Sequence, residues 1–266
     1  MNRIEQRFNI LQTKGEKALI GFVTAGDPDV TKSMEIINTM IESGIDILEL
    51  GVPFSDPSAD GPVIQRSSKR ALKNSVNLED VLDIAGRIRE KTQIPIIIFT
   101  YYNPVFVMGV QKFCQKALKN GADGVLIVDL PYEESDEFLQ FKEAEKLYLI
   151  KLIAPVTPYE RMKMITKSAS GFIYLISKTG ITGCSGFDAK ETSLIAKELR
   201  AATSLPICTG FGISTPDHVR KVAAFSDGVV IGSAFEKIIE DNLKNPKLLE
   251  LIKHATIKFK RATRIE

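Results

Sequence analysis

The chain has no tryptophan, only two histidines and only three cysteines among its 266 residues. Cys114, Cys184 and Cys208 are scattered, without the spacing of a zinc site or the number typical of a secreted disulfide scaffold. His218 and His254 fall in predicted helices, and we assign them no chemistry. Metal-bound and disulfide-stapled classes of protein are therefore poor matches to this sequence.

Strong charge of one sign and long apolar runs are also missing. Lysine and arginine number 35 against 33 aspartates and glutamates, a formal net charge of +2, which gives no electrostatic basis for a nucleic-acid partner. The apolar runs are of strand length, too short to cross a membrane. Residues 2–17 are polar and charged, unlike a signal peptide. We expect a cytoplasmic protein with no membrane partner.

Short apolar runs alternate with segments of helical period along the whole chain. The predicted strands are 18–23, 45–51, 95–101, 124–129, 149–153, 171–176, 205–209 and 227–231. The predicted helices are 29–43, 63–73, 78–92, 105–120, 134–146, 159–168, 188–201, 215–224, 233–242 and 246–260. The strands are almost continuously apolar, as in a parallel sheet that is covered on both faces.

Eight strand–helix units in about 250 residues predict an α/β fold of the (β/α)8 TIM-barrel type. We expect one domain over residues 1–266, with extra short helices. The alternative is a doubly wound open sheet, which usually has fewer strands and a glycine fingerprint after the first. Residues 24–28 show no such fingerprint.

A carboxylate interrupts the second predicted strand. Glu49 stands between Leu48 and Leu50, where burying a charge is costly unless it is paired or has a task. A loop rich in proline, glycine and aspartate follows and ends in a second carboxylate, Asp60. One acid on a strand and one on a loop suit acid–base catalysis. The alternative is that Glu49 lies at a sheet edge or in a salt bridge.

Glycines and a serine at the ends of the last two strands indicate a phosphate site. Gly212, Gly232 and Ser233 allow backbone N–H groups to approach an anion, and a predicted helix begins at Ser233. Loops seven and eight are the usual phosphate position in these barrels. Loop six, with Gly180 and Gly183, is typical of a lid. The alternatives are tight turns for the glycines and a plain connector for loop six.

Seven motifs, in order and nearly end to end, resemble the tryptophan synthase alpha subunit family. They are LELGVPFSDP (48–57), ADGPVIQ (59–65), YYNP (101–104), GVLIVDLP (124–131), TGITG (179–183), GFGIS (210–214) and GSA (232–234). The segment from Glu49 to Asp60 is highly specific, whereas most of the others would be weak alone.

The resemblance implies retro-aldol cleavage of indole-3-glycerol phosphate to indole and glyceraldehyde 3-phosphate, without a metal or a cofactor in this chain. Glu49 matches the family's acid–base residue, which gives and takes protons. Asp60 matches the carboxylate that stabilises positive charge at the indole N–H. We expect burial to raise the pKa of Glu49 toward the working pH.

The resemblance also implies the residues that bind the substrate. The indole slot would be formed by Phe22, Ile64, Thr100, Leu126 and Tyr174. Family phosphate contacts match Gly183, Gly212, Gly232 and Ser233, and Thr182 matches the lid residue that helps to order Asp60.

The family's partner is a beta subunit that carries pyridoxal phosphate, receives indole through a tunnel and forms an α2β2 complex. Asp56, the 53–60 loop, Asn103-Pro104 and Pro131 match the surface that faces it. The sequence departs from the family pattern at Ser58, Thr100, Lys178 and Cys184. Ser58 could alter loop ordering or partner contact, but none of these changes removes a group that the chemistry needs.

Two other functions remain open at this point. The chain could be a subunit that only activates a beta partner, although Glu49, Asp60 and Thr182 are all present. It could also be a barrel aldolase or isomerase for another sugar phosphate. A Schiff-base aldolase needs a lysine in a strand, and the predicted strands offer only Lys151, at the entrance of strand five. A metal-dependent epimerase would want histidine at strand ends, where there is none.

Overall fold

A computed structural model of the chain describes residues 1–141, 146–177 and 189–264. Eight parallel strands close into a barrel in sequence order, which confirms the predicted (β/α)8 TIM barrel. The strands are β1 (Ala18–Thr24), β2 (Ile47–Gly51), β3 (Ile96–Thr100), β4 (Gly124–Ile127), β5 (Tyr148–Ile153), β6 (Ile173–Ile176), β7 (Ile207–Gly210) and β8 (Gly228–Ile231).

Helices surround this barrel and cover its outer face. They are α1 (Arg3–Thr13), α2 (Val30–Glu42), α3 (Pro62–Lys73), α4 (Leu78–Arg89), α5 (Tyr102–Met108), α6 (Val110–Lys119), α7 (Asp136–Leu139), α8 (Tyr159–Lys167), α9 (Ala189–Ala202), α10 (Pro216–Ala223), α11 (Ser233–Asp241) and α12 (Leu248–Ala262), with a 3₁₀ turn at Tyr132–Glu134. None of the described helices is long and apolar enough to span a membrane.

Side chains of each strand alternate between the barrel interior and the helix layer. On β2, Ile47 belongs to the interior apolar cluster, whereas Leu48 and Leu50 belong to the cluster under the helices. Glu49 is in register with Phe22 on β1 and Ile97 on β3. Its side chain therefore points into the barrel, above a floor of apolar residues.

Helix α1 closes the N-terminal end of the barrel, and sequence analysis did not predict it. Ile4, Phe8 and Leu11 follow helical spacing and pack against the interior cluster. A capping box starts the helix, since Asn2 accepts the Glu5 backbone N–H and Glu5 accepts that of Asn2. Polar residues on the other face of the helix separate these apolar residues in the sequence. The apolar face is therefore hard to recognise from the sequence alone.

Two predicted helices were wrong in their extent. The single helix expected at 105–120 is broken at Gly109, whose φ of 88° ends α5 and lets α6 begin in a new direction. Within the described residues, the helix expected at 134–146 is represented by the short α7, which ends at Leu139 and follows the 3₁₀ turn. Residues 142–145 lie outside the described chain. The other predicted elements agree with the observed bounds to within three residues.

Three aspartates at the N-terminal end of the barrel follow one pattern. Asp46, Asp123 and Asp227 each precede a strand by one residue and accept a backbone N–H of the strand before it. The donors are Leu19 (2.8 Å), Ile96 (2.9 Å) and Ile207 (2.9 Å). Each carboxylate also binds cations, namely Lys260 (2.8 Å) for Asp46, Arg3 (2.9 Å) and Arg89 (2.8 Å) for Asp123, and Arg200 for Asp227. These carboxylates tie neighbouring strands and the outer helices together.

Candidate active site

A cavity opens at the C-terminal end of the barrel, where TIM-barrel active sites lie. Its lining consists of Phe22, Glu49, Asp60, Gly61, Ile64, Phe99, Tyr174, Phe211, Gly212, Ile213, Val230, Gly232 and Ser233. The wall is mostly apolar or aromatic, and its acidic groups are Glu49 and Asp60. Such a mixture suits an organic ligand whose orientation is fixed by a few polar contacts.

Glu49 is held rigidly by β2 and is almost wholly buried, with 1% of its surface exposed. Its Oε1 atom has no hydrogen-bond partner among the described residues. Burial raises the pKa of Glu49 to about 8, because the charged form is poorly solvated there. At neutral pH the side chain is therefore mainly a carboxylic acid, able to donate a proton.

Asp60 approaches the same cavity from the loop between β2 and α3. Burial raises its pKa to about 6, although a hydrogen bond from the Tyr101 hydroxyl opposes that shift. The Tyr101 hydroxyl also accepts the Ala59 N–H at 3.0 Å, and its ring stacks on Phe54 with 4.9 Å between centroids. Tyr101 thus contacts the loop that carries Asp60 at two positions, Phe54 and Ala59. With a pKa of about 6, Asp60 is mainly ionised at neutral pH.

Two pairs of aromatic rings form opposite parts of the wall. Phe22 and Phe99 meet edge to face, with centroids 5.1 Å apart and planes at 76°. Tyr174 and Phe211 make a similar contact at 6.0 Å. Together with Ile64 they provide a flat apolar surface for a planar ring.

The other side of the cavity is built from backbone at the ends of β7 and β8. Phe211 and Gly212 both have positive φ, 74° and 73°, so the chain turns sharply there, and strain at Phe211 is typical of a functional position. A Cβ at Gly232 would lie 3.3 Å from the Phe22 ring. Gly232 is the N-cap of α11, which has no side-chain cap in the described structure, so its first N–H groups can receive an anion.

The structure brings most of the predicted site residues together. Glu49, Asp60, Phe22, Ile64, Tyr174, Gly212, Gly232 and Ser233 all line the cavity. Thr100 and Leu126 do not. Leu126 belongs to the apolar cluster of the barrel interior, and the Thr100 hydroxyl donates to the Tyr101 carbonyl at 3.0 Å. Thr182 and Gly183, with Lys178 and Cys184, lie outside the described residues.

Sequence reasoning missed Phe99, Tyr101 and Phe211 as parts of the site. Phe99 could have been found from strand parity, because it is two residues beyond the interior residue Ile97. Tyr101 stands in the quoted YYNP motif, but its contact with loop 53–60 joins residues about 42 positions apart. No local pattern signals such a contact.

Lys151, the candidate for a Schiff base, does not line the cavity. It is the fourth residue of β5 rather than at its entrance, and it is buried on the outer side, since its neighbour Ile150 belongs to the interior cluster. Its ammonium donates to the Leu130 carbonyl (3.1 Å) and the Ser135 hydroxyl (2.5 Å). Burial lowers its pKa to about 8. This lysine serves the packing of the segment after β4.

Among the described residues no group of three or more histidine, cysteine, aspartate or glutamate side chains is arranged to hold a metal ion. The acid–base groups of the cavity are the two carboxyls, and the chemistry available to them is proton transfer and stabilisation of positive charge.

Comparison with known proteins gives a consistent result over the full chain. The family model described as "Tryptophan synthase alpha chain" matches residues 8–264. A tryptophan synthase alpha chain from Desulfatibacillum aliphaticivorans is 54% identical over 264 residues, covering 99% of this chain and 100% of that protein.

Solved structures agree. Tryptophan synthase subunit alpha from Legionella pneumophila superposes with a TM-score of 0.92 at 36% identity, covering 99% of this chain and 98% of that one. A chain of Mycobacterium tuberculosis tryptophan synthase gives a TM-score of 0.91 at 29% identity, covering 100% and 99%.

Proposed function

The chain belongs to the tryptophan synthase alpha chain family, and from that premise we propose how its cavity performs the family's reaction. The protein is a carbon–carbon lyase of tryptophan biosynthesis, which cleaves indole-3-glycerol phosphate to indole and glyceraldehyde 3-phosphate. Glu49 and Asp60 are the catalytic residues in this proposal.

The two sides of the cavity match the two ends of the substrate. The indole ring lies against the aromatic wall of Phe22, Phe99 and Tyr174, with its N–H toward Asp60. The phosphate lies at the start of α11, where Gly212, Gly232 and the Ser233 hydroxyl and backbone N–H surround it. Thr182 and Gly183 of loop six are included in this proposal from the sequence resemblance alone.

One carboxyl group, that of Glu49, both donates and recovers a proton in the proposed reaction. Glu49, protonated at the start, donates its proton to C3 of the indole ring, and the positive charge that spreads to the ring N–H is stabilised by ionised Asp60. The Glu49 carboxylate then takes the proton of the side-chain hydroxyl as the C–C bond breaks. The bonding electrons return to the ring, and Glu49 is again protonated.

The observation that carries this proposal is the difference in pKa between two carboxyls of one cavity. Glu49, at about 8, holds a proton at neutral pH, whereas Asp60, at about 6, has mostly lost its own. Environments that separate the pKa values of paired carboxyls assign one as the acid and the other as the charge stabiliser.

We further propose that the whole chain, 1–266, works as one cytoplasmic domain bound to a beta subunit in an α2β2 complex. No cofactor is needed in this chain, and pyridoxal phosphate belongs to the beta partner. Exposed apolar residues beside Asn103 support such a contact, since Phe106 is 64% and Val107 77% exposed.

The test is indole release from indole-3-glycerol phosphate, with and without a beta subunit. We expect Glu49→Gln to lower the rate by about a hundredfold or more. Glu79→Gln is the matched control, because Glu79 is an exposed carboxylate on α4 paired with Lys116. The absence of tryptophan keeps the chain's own indole fluorescence out of the signal.

The same assay distinguishes the activating-subunit alternative. If wild type and Glu49→Gln release no indole but both stimulate the beta reaction, the chain is an activator and the acid–base roles are wrong. Equal cleavage by wild type and Glu49→Gln would also contradict the proposal.

A further inference from the structure

Two helices whose N-terminal ends lie at the cavity, α3 and α11, also contact one another through residues that do not line the cavity. Helix α3 begins two residues after Asp60, and α11 begins at Ser233. The two helices pack against one another. The contacts between them and β1 are unusually polar for a buried region.

Arginines of α3 hold acids from two other elements. Arg70 forms two hydrogen bonds with the Asp27 carboxylate after β1, both of 2.7 Å, and Asp27 is buried. Arg70 also reaches Glu240 of α11 at 3.3 Å. Arg66, one turn earlier, binds the same Glu240 through two contacts of 2.5 and 2.9 Å. These bidentate pairs fix orientation as well as distance.

Thr24, the last residue of β1, contacts both helices at once. Its backbone N–H donates to Glu236 Oε1 of α11 at 2.6 Å. Its hydroxyl lies 2.7 Å from the hydroxyl of Ser67 on α3, which in turn donates to the carbonyl of the cavity residue Ile64. A displacement of α3 or α11 would therefore change the hydrogen bonds of Thr24.

Glu236 is fully buried among the contacts between α11, β1 and α3. Burial, and next the neighbouring Asp27 carboxylate, raise its pKa well above the usual range. Arg70 already binds both oxygens of Asp27. Glu236 Oε1 accepts the Thr24 N–H, whereas Oε2 has no hydrogen-bond partner among the described residues. Through Thr24 and its hydroxyl contact with Ser67, Glu236 of α11 is joined to β1 and to α3, beside the Asp27–Arg70 pair.

We propose that Glu236 and Arg70 are positioning residues that couple phosphate binding at the start of α11 to the placement of Asp60 at the start of α3. This inference rests on the proposed function for its two ligand positions. Neither side chain lines the cavity, so any effect on the ligands passes through the two helices. Because helices move as rigid elements, a shift of one helix start is transmitted through these contacts.

The experiment measures the binding of indole and inorganic phosphate, separately and together, to the full chain. Indole fluorescence reports binding directly, since the protein has no tryptophan. In the wild type we expect phosphate to tighten indole binding by about fivefold or more, and indole to tighten phosphate binding equally.

Four variants test the link. Glu236→Gln keeps an acceptor and a donor and should retain the coupling, whereas Glu236→Leu should reduce it to about onefold. Arg70→Met should do the same, and Arg70→Lys, which keeps charge but loses the bidentate contact, should lose most of it. Arg161→Met is the matched control, because Arg161 makes a bidentate pair with Glu133 on the exposed surface.

Several outcomes would overturn the inference. Independent binding of the two ligands by wild type, or full coupling in both Glu236→Leu and Arg70→Lys, would contradict it. Equal loss of coupling in Glu236→Gln and Glu236→Leu would contradict a role for the hydrogen bond that Glu236 accepts from Thr24. If Glu236→Leu does not fold, Arg70→Lys decides. Failure of the proposed function is separate, because it appears as absence of cleavage by wild type.

Discussion

Acidic side chains occupy both ends of this barrel in opposite surroundings. At the N-terminal end, Asp46 and Asp123 are buried, yet each accepts a backbone N–H and binds at least one cation within 2.9 Å. At the C-terminal end, Glu49 is equally buried, and one of its oxygens has no partner within the described chain. Among the described residues, Asp60 has a hydrogen bond from a neutral side chain, the hydroxyl of Tyr101.

The acids at the N-terminal end serve the stability of the fold, whereas those at the C-terminal end are available for chemistry. A carboxylate with its full set of partners stabilises the fold and has no capacity left for a ligand. A carboxyl left without partners costs folding free energy and retains a shifted pKa, which a proton-transfer reaction can use. Removing an acid should therefore have opposite effects at the two ends.

The largest effect on stability is expected for Asp123→Ala at the N-terminal end. It leaves Arg89 buried without its carboxylate and removes the acceptor of the Ile96 N–H. We expect a loss of about 3–5 kcal/mol in the free energy of unfolding, measured by chemical denaturation, with kcat/KM per folded molecule unchanged.

Asp217→Ala is the matched control, because Asp217 forms exposed pairs within α10 and should change stability by less than about 1 kcal/mol. A parallel fall of stability and kcat/KM in folded Asp123→Ala would refute the division of roles between the two ends.

Glu49→Gln should stabilise the protein although it lowers the cleavage rate by about a hundredfold or more. The pKa of Glu49 is about 8 in the folded chain and near the ordinary 4.5 of a glutamate in the unfolded chain, so the unfolded chain ionises first as the pH rises. Wild-type stability is then lost as pH rises from 4.5 through 8. The variant lacks this loss, and its advantage should grow from pH 5 to pH 9 toward about 4 kcal/mol. Thermal unfolding across that range measures it, and a constant difference would contradict the shifted pKa.

The dependence of kcat/KM on pH should be bell-shaped. Below about pH 6 Asp60 becomes protonated and loses the charge that stabilises the indole N–H. Above about pH 8 Glu49 loses the proton that it donates. Each limb should fall about tenfold per pH unit. A profile that is flat between pH 5 and 9 would show that neither carboxyl has its assigned role.

The smallest effect is a shift of one limb by Tyr101→Phe. The Tyr101 hydroxyl lowers the pKa of Asp60, so its removal should raise that pKa and move the acid limb to higher pH. The alkaline limb, set by Glu49, should stay in place. Tyr102→Phe is the control, because the Tyr102 hydroxyl contacts Glu137 on the exposed surface. An acid limb that moves equally in both variants would dissociate Tyr101 from Asp60.

The sequence predicted the barrel because each strand is a short apolar run followed by a helical period, and both signals are local. It also predicted that Glu49 and Asp60 lie together, because Glu49 interrupts an apolar run and Asp60 ends the loop that follows that strand, and both line one cavity. Thr100 was placed in the indole slot, but strand parity turns it away from the cavity, whose wall at that strand is Phe99.

Contacts between distant segments could not be read in this way. The Glu236–Thr24 bond joins residues 212 positions apart, and a glutamate in the first turn of a helix usually indicates a favourable dipole contact and nothing more. The polar start of the chain hid α1, because only three of its eleven residues are buried, and their role becomes visible only in contact with the barrel interior.

Helix α1 closes the N-terminal end of the barrel, whereas the cavity lies at the C-terminal end. Since Ile4, Phe8 and Leu11 fill the opposite end with apolar side chains, the described chain offers no polar passage along the barrel axis. In the described part of the chain the cavity lies at the C-terminal end of the barrel, so we expect substrate, indole and triose phosphate all to pass through that end. A partner protein bound at the C-terminal end of the barrel would therefore control both the uptake of substrate and the release of products.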